Sequence, residues 1–124
     1  MTLNCIIIDD EPLAAGLLAS YAKKTLFLNL VGVFNSAVEG IKCIRENKVD
    51  LIFLDIQMPE LSGLEFARIL PKETKIIFTT AFSQYAIEGY KANAVDYLMK
   101  PISYDDFLAG ANRALDWFNS LHQS

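Results

Sequence analysis

The sequence predicts a doubly wound α/β domain, in which helices cover both faces of a five-stranded parallel sheet. Short apolar runs alternate with segments of helical periodicity, which is the pattern of parallel strands joined by crossover helices. The central runs lack polar alternation, as expected for strands that are buried on both faces. Several runs end on polar side chains, at the sheet edge where open α/β sheets bind ligands.

The length and composition of the chain argue against several classes of protein, including membrane-spanning and nucleic-acid-binding ones. The 124 residues suffice for one domain with a sizeable core, and a net charge of −4 argues against broad attraction to nucleic acids or anionic membranes. No apolar run approaches the roughly 20 residues of a membrane span, and we expect no signal peptide. Cys5 and Cys43 form no CxxC pair and are predicted to be reduced thiols of a cytoplasmic protein. His122 is expected at the surface, because no second metal ligand stands at a suitable spacing.

The first half of the chain is predicted to contain three strands and two helices. The strands are expected at residues 4–8, 28–34 and 51–54, with Gly32 favouring a sheet edge for the second. Pro12 suits the first turn of a helix, and Ser36 with Glu39 forms a capping box that opens a second helix through about residue 47. The buried faces are expected to comprise Ala14, Leu17, Leu18, Tyr21 and Ala22 in the first helix and Ala37, Ile41 and Ile44 in the second.

The second half is predicted to contain two strands and three helices. The strands are expected at residues 75–79 and 94–99, a short helix between residues 62 and 71, and a weaker helix at residues 83–92. Ser103 should cap the last helix, where Asp105 and Asp106 lie at the positive end of the helix dipole. The core stripe of this helix is expected to comprise Phe107, Leu108, Ala111, Ala114, Leu115 and Phe118.

Charged and hydroxyl side chains follow four of the strands and should meet at one sheet edge. They are Asp9, Asp10, Glu11, Asp55, Thr80 and Lys100. Carboxylates crowded together repel one another, and Mg²⁺ relieves this repulsion best because it accepts carboxylates and carbonyls while leaving positions for phosphate oxygens. A carboxylate that faces Mg²⁺ and a lysine is suited to attack phosphorus, because both cations stabilise the transferring oxygens. The pattern therefore predicts a metal-dependent phosphoryl acceptor.

Each of these residues also has a simpler structural explanation. The acids that follow the first strand could only cap the first helix, and Asp55 could be a solvated turn residue. Lys100 could be a surface lysine, and Thr80 an ordinary residue at a strand end. Capping alone does not account for Asp55, so the shared site explains more of the pattern.

Four motifs resemble the receiver domain of two-component response regulators. They are Ile8-Asp9-Asp10-Glu11-Pro12, Leu54-Asp55-Ile56-Gln57-Met58-Pro59, Thr79-Thr80-Ala81 and Asp96-Tyr97-Leu98-Met99-Lys100-Pro101. The resemblance covers residues 1–124 as one receiver domain and implies the flavodoxin-like strand order 2-1-3-4-5 with five helices. The segments around Pro12, Met58 and Tyr85 are further similar to receivers joined to LytTR-type (LytR/AlgR-like) DNA-binding domains.

The resemblance also implies a role for each site residue. Asp55 would accept the phosphoryl group, while Thr80 and Lys100 would hold its oxygens. The implied ligands of Mg²⁺ are Asp10 directly, Asp9 mostly through water, the backbone carbonyl of Gln57, and Asp55 itself.

Further residues are implied to control switching and phosphoryl lifetime. Tyr97 would turn inward when Thr80 moves toward the phosphoryl group. Gln57 and Phe82 would lie over that group, and the bulk of Phe82 is expected to impede an attacking water. The Lys100–Pro101 peptide is expected to be cis, which proline makes feasible.

The implied partners are a sensor histidine kinase as phosphoryl donor and DNA, reached only through a C-terminal effector domain absent from this chain. Such receivers often pair as homodimers through the fourth helix, fifth strand and fifth helix. Tyr85, Ile87 and Tyr90 fit either that face or the core. The domain is expected to be a signalling switch rather than an enzyme, promoting its own phosphorylation and dephosphorylation.

Three other functions agree less well with the sequence. A Mg²⁺-dependent aspartyl phosphatase of the haloacid-dehalogenase kind would require a second Asp two residues after the nucleophile, where Gln57 stands. A flavodoxin would require a Ser/Thr/Gly-rich loop after the first strand, where the acids would repel the phosphate of the flavin. A receiver that signals without phosphate is disfavoured because every acceptor-site residue type is present.

Overall fold

The computed structural model describes residues 1–58, 63–81 and 94–121, which form a five-stranded parallel sheet with helices on both faces. The strand order β2-β1-β3-β4-β5 confirms the expected 2-1-3-4-5 order. The strands are β1 (Leu3–Ile8), β2 (Leu28–Phe34), β3 (Leu51–Asp55), β4 (Lys75–Thr80) and β5 (Ala94–Met99). The helices are α1 (Pro12–Lys23), α2 (Ala37–Glu46), α3 (Gly63–Arg68) and the C-terminal helix (Tyr104–Leu121). The helix expected at residues 83–92, and with it Phe82, Tyr85, Ile87 and Tyr90, lies outside the described residues, as does His122.

The first strand shows how the core is divided between the two faces of the sheet. Cys5 and Ile7 lie in the core that α1 and the C-terminal helix cover, whereas Ile6 and Ile8 lie in the core beneath α2 and α3. β3 is buried along its whole length, as predicted from its unbroken apolar run. β2 lies at the sheet edge, as its glycine indicated. Cys5 and the other cysteine of the chain are free thiols, as expected.

The buried face of α1 differs from the predicted one. Its buried residues are Ala15, Leu18, Ala19 and Ala22, whereas Leu17 is 39% exposed. The side chains that face the sheet are mostly those of alanine, and these allow the helix to lie close to the strands. The larger Leu17 was expected in the core but lies on the outer side of the helix. The size of a side chain was therefore a poor guide to its burial in this helix.

The predicted caps of α2 and the C-terminal helix are confirmed. Ser36 Oγ accepts a hydrogen bond from the backbone N–H of Glu39 at 3.4 Å, and Ser103 Oγ accepts one from Asp106 at 3.1 Å. The core stripe of the C-terminal helix is confirmed, with Phe107, Ala111, Ala114 and Phe118 buried and Leu108 and Leu115 half-buried. Within the described ranges, no helix has the length and apolar character that a membrane crossing requires.

Gly40 allows α2 to approach the sheet closely. This glycine is buried in the middle of the helix, and a Cβ atom placed there would collide with the end of the Ile8 side chain. A larger residue would therefore require the Ile8 side chain or α2 itself to shift, beside the strand whose end carries the first acids of the candidate site.

Candidate functional site

The parallel strands bring the predicted site residues to one edge. Asp9 follows β1, Asp55 ends β3, Thr80 ends β4 and Lys100 follows β5, and these four strands are adjacent in the sheet. The ladder registers place their carboxyl ends at the same level. The backbone N–H of Lys100 donates to the carbonyl oxygen of Thr80 at 2.7 Å, which fixes the start of the loop after β5 against β4.

The ammonium group of Lys100 lies among three carboxylates. Its Nζ is 2.8 Å from Glu11 Oε1, 3.0 Å from Asp9 Oδ2 and 3.5 Å from Asp55 Oδ2. The site therefore holds more negative than positive charge. Asp9, Glu11, Asp55 and Lys100 therefore lie together, as expected for residues at this edge of the sheet.

Asp55 is buried, and its environment disfavours the ionised form. The pKa of Asp55 is raised from 3.8 to about 7, chiefly by burial, with repulsion by Asp9 and a hydrogen bond with the side chain of Asp10 acting in the same direction. Attraction to Lys100 and a hydrogen bond from the backbone N–H of Gln57, 3.1 Å from Asp55 Oδ1, lower the pKa and only partly offset the rise. A strongly shifted carboxyl beside a lysine at a sheet edge is typical of a functional site.

The donor set suits a hard divalent cation. Asp9, Glu11 and Asp55 each offer one carboxylate oxygen, and these oxygens lie within 4.8 Å of one another. Positive charge placed among them would relieve the repulsion that raises the pKa of Asp55. Asp10 is exposed and approaches Asp55, and Gln57 is exposed in the loop beyond β3. The acids after β1 therefore lie at the same edge as Asp55.

Glu11 is the site residue to which sequence reasoning gave no individual role. It belongs to the acidic run that was expected at this edge, but nothing in the local pattern indicated that it would contact Lys100, 89 residues away. The hydrogen bond to Lys100 lowers the pKa of Glu11, although the carboxyl group itself is exposed. Only the distance between the two side chains shows the pairing.

Tyr97 lies on β5 beside the site and is half-buried. Its ring is stacked on that of Phe78, with centroids 5.7 Å apart and an angle of 18° between the planes. Burial raises the pKa of the Tyr97 hydroxyl. Of the two residues expected to lie over a phosphoryl group, Gln57 is described and Phe82 is outside the described residues. The Lys100–Pro101 peptide is cis, as expected.

Known proteins that are similar to this chain are response regulators or their receiver domains. The model of the response regulator receiver domain family matches residues 5–112. An uncharacterized response regulatory protein of Vibrio cholerae is 38% identical over 115 residues, covering 91% of this chain and 48% of the relative. The transcriptional regulatory protein BtsR of Escherichia coli K12 is 43% identical over 102 residues, covering 81% of this chain and 43% of the relative. The chain thus spans less than half the length of these relatives.

A solved structure shares the fold over nearly the whole chain. The response regulatory domain of mrkE from Klebsiella pneumoniae is 30% identical, with a TM-score of 0.79, and covers 98% of this chain and 100% of its own. The signal receiver domain of a modulated diguanylate cyclase from Desulfovibrio desulfuricans G20 is 26% identical, with a TM-score of 0.81 over 94% of this chain and 95% of its own. The strand order, the acidic edge with its lysine and these likenesses agree, and the chain belongs to the response regulator receiver domain family.

Proposed function

We propose that this receiver domain accepts a phosphoryl group on Asp55 from a sensor histidine kinase, in a Mg²⁺-dependent reaction in the cytoplasm. The observation that carries the proposal is the position of Asp55, which is 4% exposed and whose Oδ2 lies 3.5 Å from the Lys100 ammonium. A buried carboxylate that is both crowded by acids and paired with a mobile cation is suited to nucleophilic attack on phosphorus.

The residues of the chain would share the transfer as follows. A carboxylate oxygen of Asp55 attacks phosphorus, and the bond between phosphorus and the donor's leaving group breaks as the new bond forms. Lys100 and Thr80 bind the phosphoryl oxygens. Asp9, Asp10 and Asp55, with the backbone carbonyl of Gln57, would hold Mg²⁺, which supplies positive charge to the transferring oxygens. The domain itself thereby promotes gain and loss of the group, although receivers are signalling domains rather than conventional enzymes.

The output would arise from a change at β4 and β5. A new dianionic group at the sheet edge would draw Thr80 toward it, and Tyr97, which is packed beside β4 on Phe78, would adjust its position. For a useful output the phosphoryl group must favour the active state by a few kcal/mol. Gln57 and Phe82 would set its lifetime, and an unchanged dephosphorylation rate in Phe82→Glu would contradict that assignment for Phe82.

The output itself would be control of transcription through an effector domain. The E. coli relative is named a transcriptional regulatory protein, and both curated relatives quoted above are about twice as long as the matched region. We propose an effector of the LytTR type that contacts DNA, and a homodimer formed through the fourth helix, which lies outside the described residues, together with β5 and the C-terminal helix. This part of the proposal depends on the relatives and on the sequence resemblance, not on the site geometry.

The test is incubation with acetyl phosphate, a small phosphoryl donor, with and without Mg²⁺. Intact-mass measurement should show one added phosphoryl group in the wild type with Mg²⁺, almost none after chelation, and none in Asp55→Asn. The exposed acid Glu39 on α2 gives a control, since Glu39→Gln should be labelled like the wild type. A phosphoryl group that still appears in Asp55→Asn at the wild-type rate would overturn the proposal.

A further inference from the structure

Tyr21, on α1, makes a hydrogen bond to the loop that follows the proposed phosphoryl-binding lysine. The Tyr21 hydroxyl donates to the carbonyl oxygen of Ile102 at 2.9 Å, across 81 residues of sequence. Ile102 is buried and stands two residues after Lys100. The contacts that join Lys100 to Asp9, Glu11 and Asp55 do not involve Tyr21, and the transfer described above makes no use of this residue.

The ring of Tyr21 is held in place by the C-terminal helix. Its centroid lies 5.3 Å from that of Tyr104 and 5.4 Å from that of Phe107, both in tilted arrangements. The ammonium group of Lys24 lies 4.1 Å from the centroid of the Tyr104 ring. The Tyr21 hydroxyl is therefore presented to the loop by a ring packed between two helices, and its direction is restricted.

Two hydrogen bonds enclose the backbone from which the Lys100 side chain extends. On one side the backbone N–H of Lys100 is bound to Thr80, and on the other the carbonyl of Ile102 is bound to Tyr21. The first bond belongs to the sheet. The second comes from outside the sheet, and its loss would leave the far side of this short loop without that restraint. Displacements of about 1 Å at a reacting group reduce rates markedly.

We infer that Tyr21 is a positioning residue for Lys100. Its hydroxyl fixes the loop after β5, and so determines where the Lys100 ammonium meets the oxygens of the incoming phosphoryl group. The inference depends on the proposed function, because it assigns to Tyr21 a part in phosphorylation of Asp55. The competing view is that the hydrogen bond only stabilises the fold.

The test uses Tyr21→Phe, which removes the hydroxyl and keeps the packed ring. We expect the initial rate of Asp55 phosphorylation by acetyl phosphate at saturating Mg²⁺ to fall on the order of fivefold. Tyr104→Phe is the matched control, because it removes a tyrosine hydroxyl from the same aromatic cluster, and that hydroxyl lies 3.3 Å from Thr25 Oγ1. It should keep the wild-type rate.

A double-mutant cycle separates positioning from general stability. In a Lys100→Ala background, Tyr21→Phe should cause no further loss of rate, because the side chain that it positions is gone. Beryllofluoride, a stable analogue of the phosphoryl group, provides a second readout. Its affinity should fall in Tyr21→Phe, and should be unaffected by the same change in the Lys100→Ala background.

The outcomes distinguish this inference from the proposed function. A wild-type protein that is not labelled on Asp55 would refute both. A wild type that is labelled, with Tyr21→Phe labelled at the same rate, would refute the positioning role alone. Equal losses of rate and of beryllofluoride affinity in both backgrounds would also refute it, because a structural effect does not depend on Lys100.

Discussion

Lys100 lies closer to Glu11 than to the proposed acceptor: Lys100 Nζ is 2.8 Å from Glu11 Oε1 and 3.5 Å from Asp55 Oδ2. Burial lowers the pKa of Lys100, but hydrogen bonds to Glu11 and Asp9 and attraction to Asp55 more than offset this, so the net shift is upward. The ammonium therefore stays charged at neutral pH. An incoming phosphoryl group must compete with Glu11 for it.

Glu11→Gln should therefore speed phosphorylation of Asp55. The substitution keeps the size of the side chain and leaves the proposed Mg²⁺ ligands Asp9, Asp10 and Asp55 in place, but it removes the charge that holds Lys100. Because exposed ion pairs are weak, we expect roughly a two- to fivefold faster initial rate with acetyl phosphate. The urea midpoint should hardly change. Glu39→Gln, an exposed acid of α2, serves as the matched control. A slower rate in Glu11→Gln would show that Glu11 assists the transfer.

The stability of the metal-free protein should depend on Asp55 between pH 5 and pH 8. The pKa of Asp55 is about 7 in the fold and 3.8 in its ordinary state, so the folded chain keeps a proton that the unfolded chain has lost. Stability should therefore fall as the pH rises through this window, by roughly 1–3 kcal/mol. Urea unfolding in a chelating buffer measures the fall.

Asp55→Asn is the control for this pH dependence, because it should flatten the profile and be more stable than the wild type at pH 8. Two other shifted groups at the site do not interfere. The pKa of Glu11 is lowered from 4.5, so its contribution is lost only at lower pH. The pKa of Lys100 is raised from 10.5, so its contribution is lost only at higher pH. An unchanged slope in Asp55→Asn would contradict the assignment.

Lys100→Met should destabilise the metal-free protein. The substitution removes the one ammonium group that the structure places among the buried carboxylates of Asp9 and Asp55, at a cost of roughly 2–4 kcal/mol at pH 8. The cost should shrink at pH 5, where Asp55 takes up a proton. Lys42→Met, at an exposed position on α2, should change stability little. A loss that is equal at both pH values would mean that the charge of Asp55 is not involved.

Two helical glycines should respond to alanine in opposite directions. In Gly40→Ala the new methyl group meets the Ile8 side chain, and we expect a loss of roughly 1–3 kcal/mol. In Gly16→Ala no atom beyond the adjoining backbone of the helix and the neighbouring residues lies within 4 Å of the new Cβ, so the higher helix propensity of alanine should add roughly 0.5–1 kcal/mol. Urea unfolding compares the two, and equal stabilisation would show that the Ile8 side chain or α2 can shift without cost.

The positions of the strands and the edge that carries the site could be inferred from local patterns, whereas the strand order was implied by the resemblance to receiver domains. An apolar run ending on Asp55 or Lys100 shows where a strand stops, and parallel strands must end on the same side. The capping role of Ser36 could also be predicted from the sequence, because a capping residue acts within the first turn of its own helix. The buried face of α1 could not be inferred in this way, since the rotation of that helix depends on how closely alanines approach the sheet.

By itself, the sequence determined that several acids, a hydroxyl and a lysine end up at one edge of a parallel sheet. Only the tertiary structure decided that Lys100 is bound most closely by Glu11, and that the Tyr21 hydroxyl restrains the loop beyond it. The reason is one of range. The periodicity that predicts a strand or a helix depends on residues close together in the sequence. Contacts between residues more than 80 positions apart depend on packing of the whole chain.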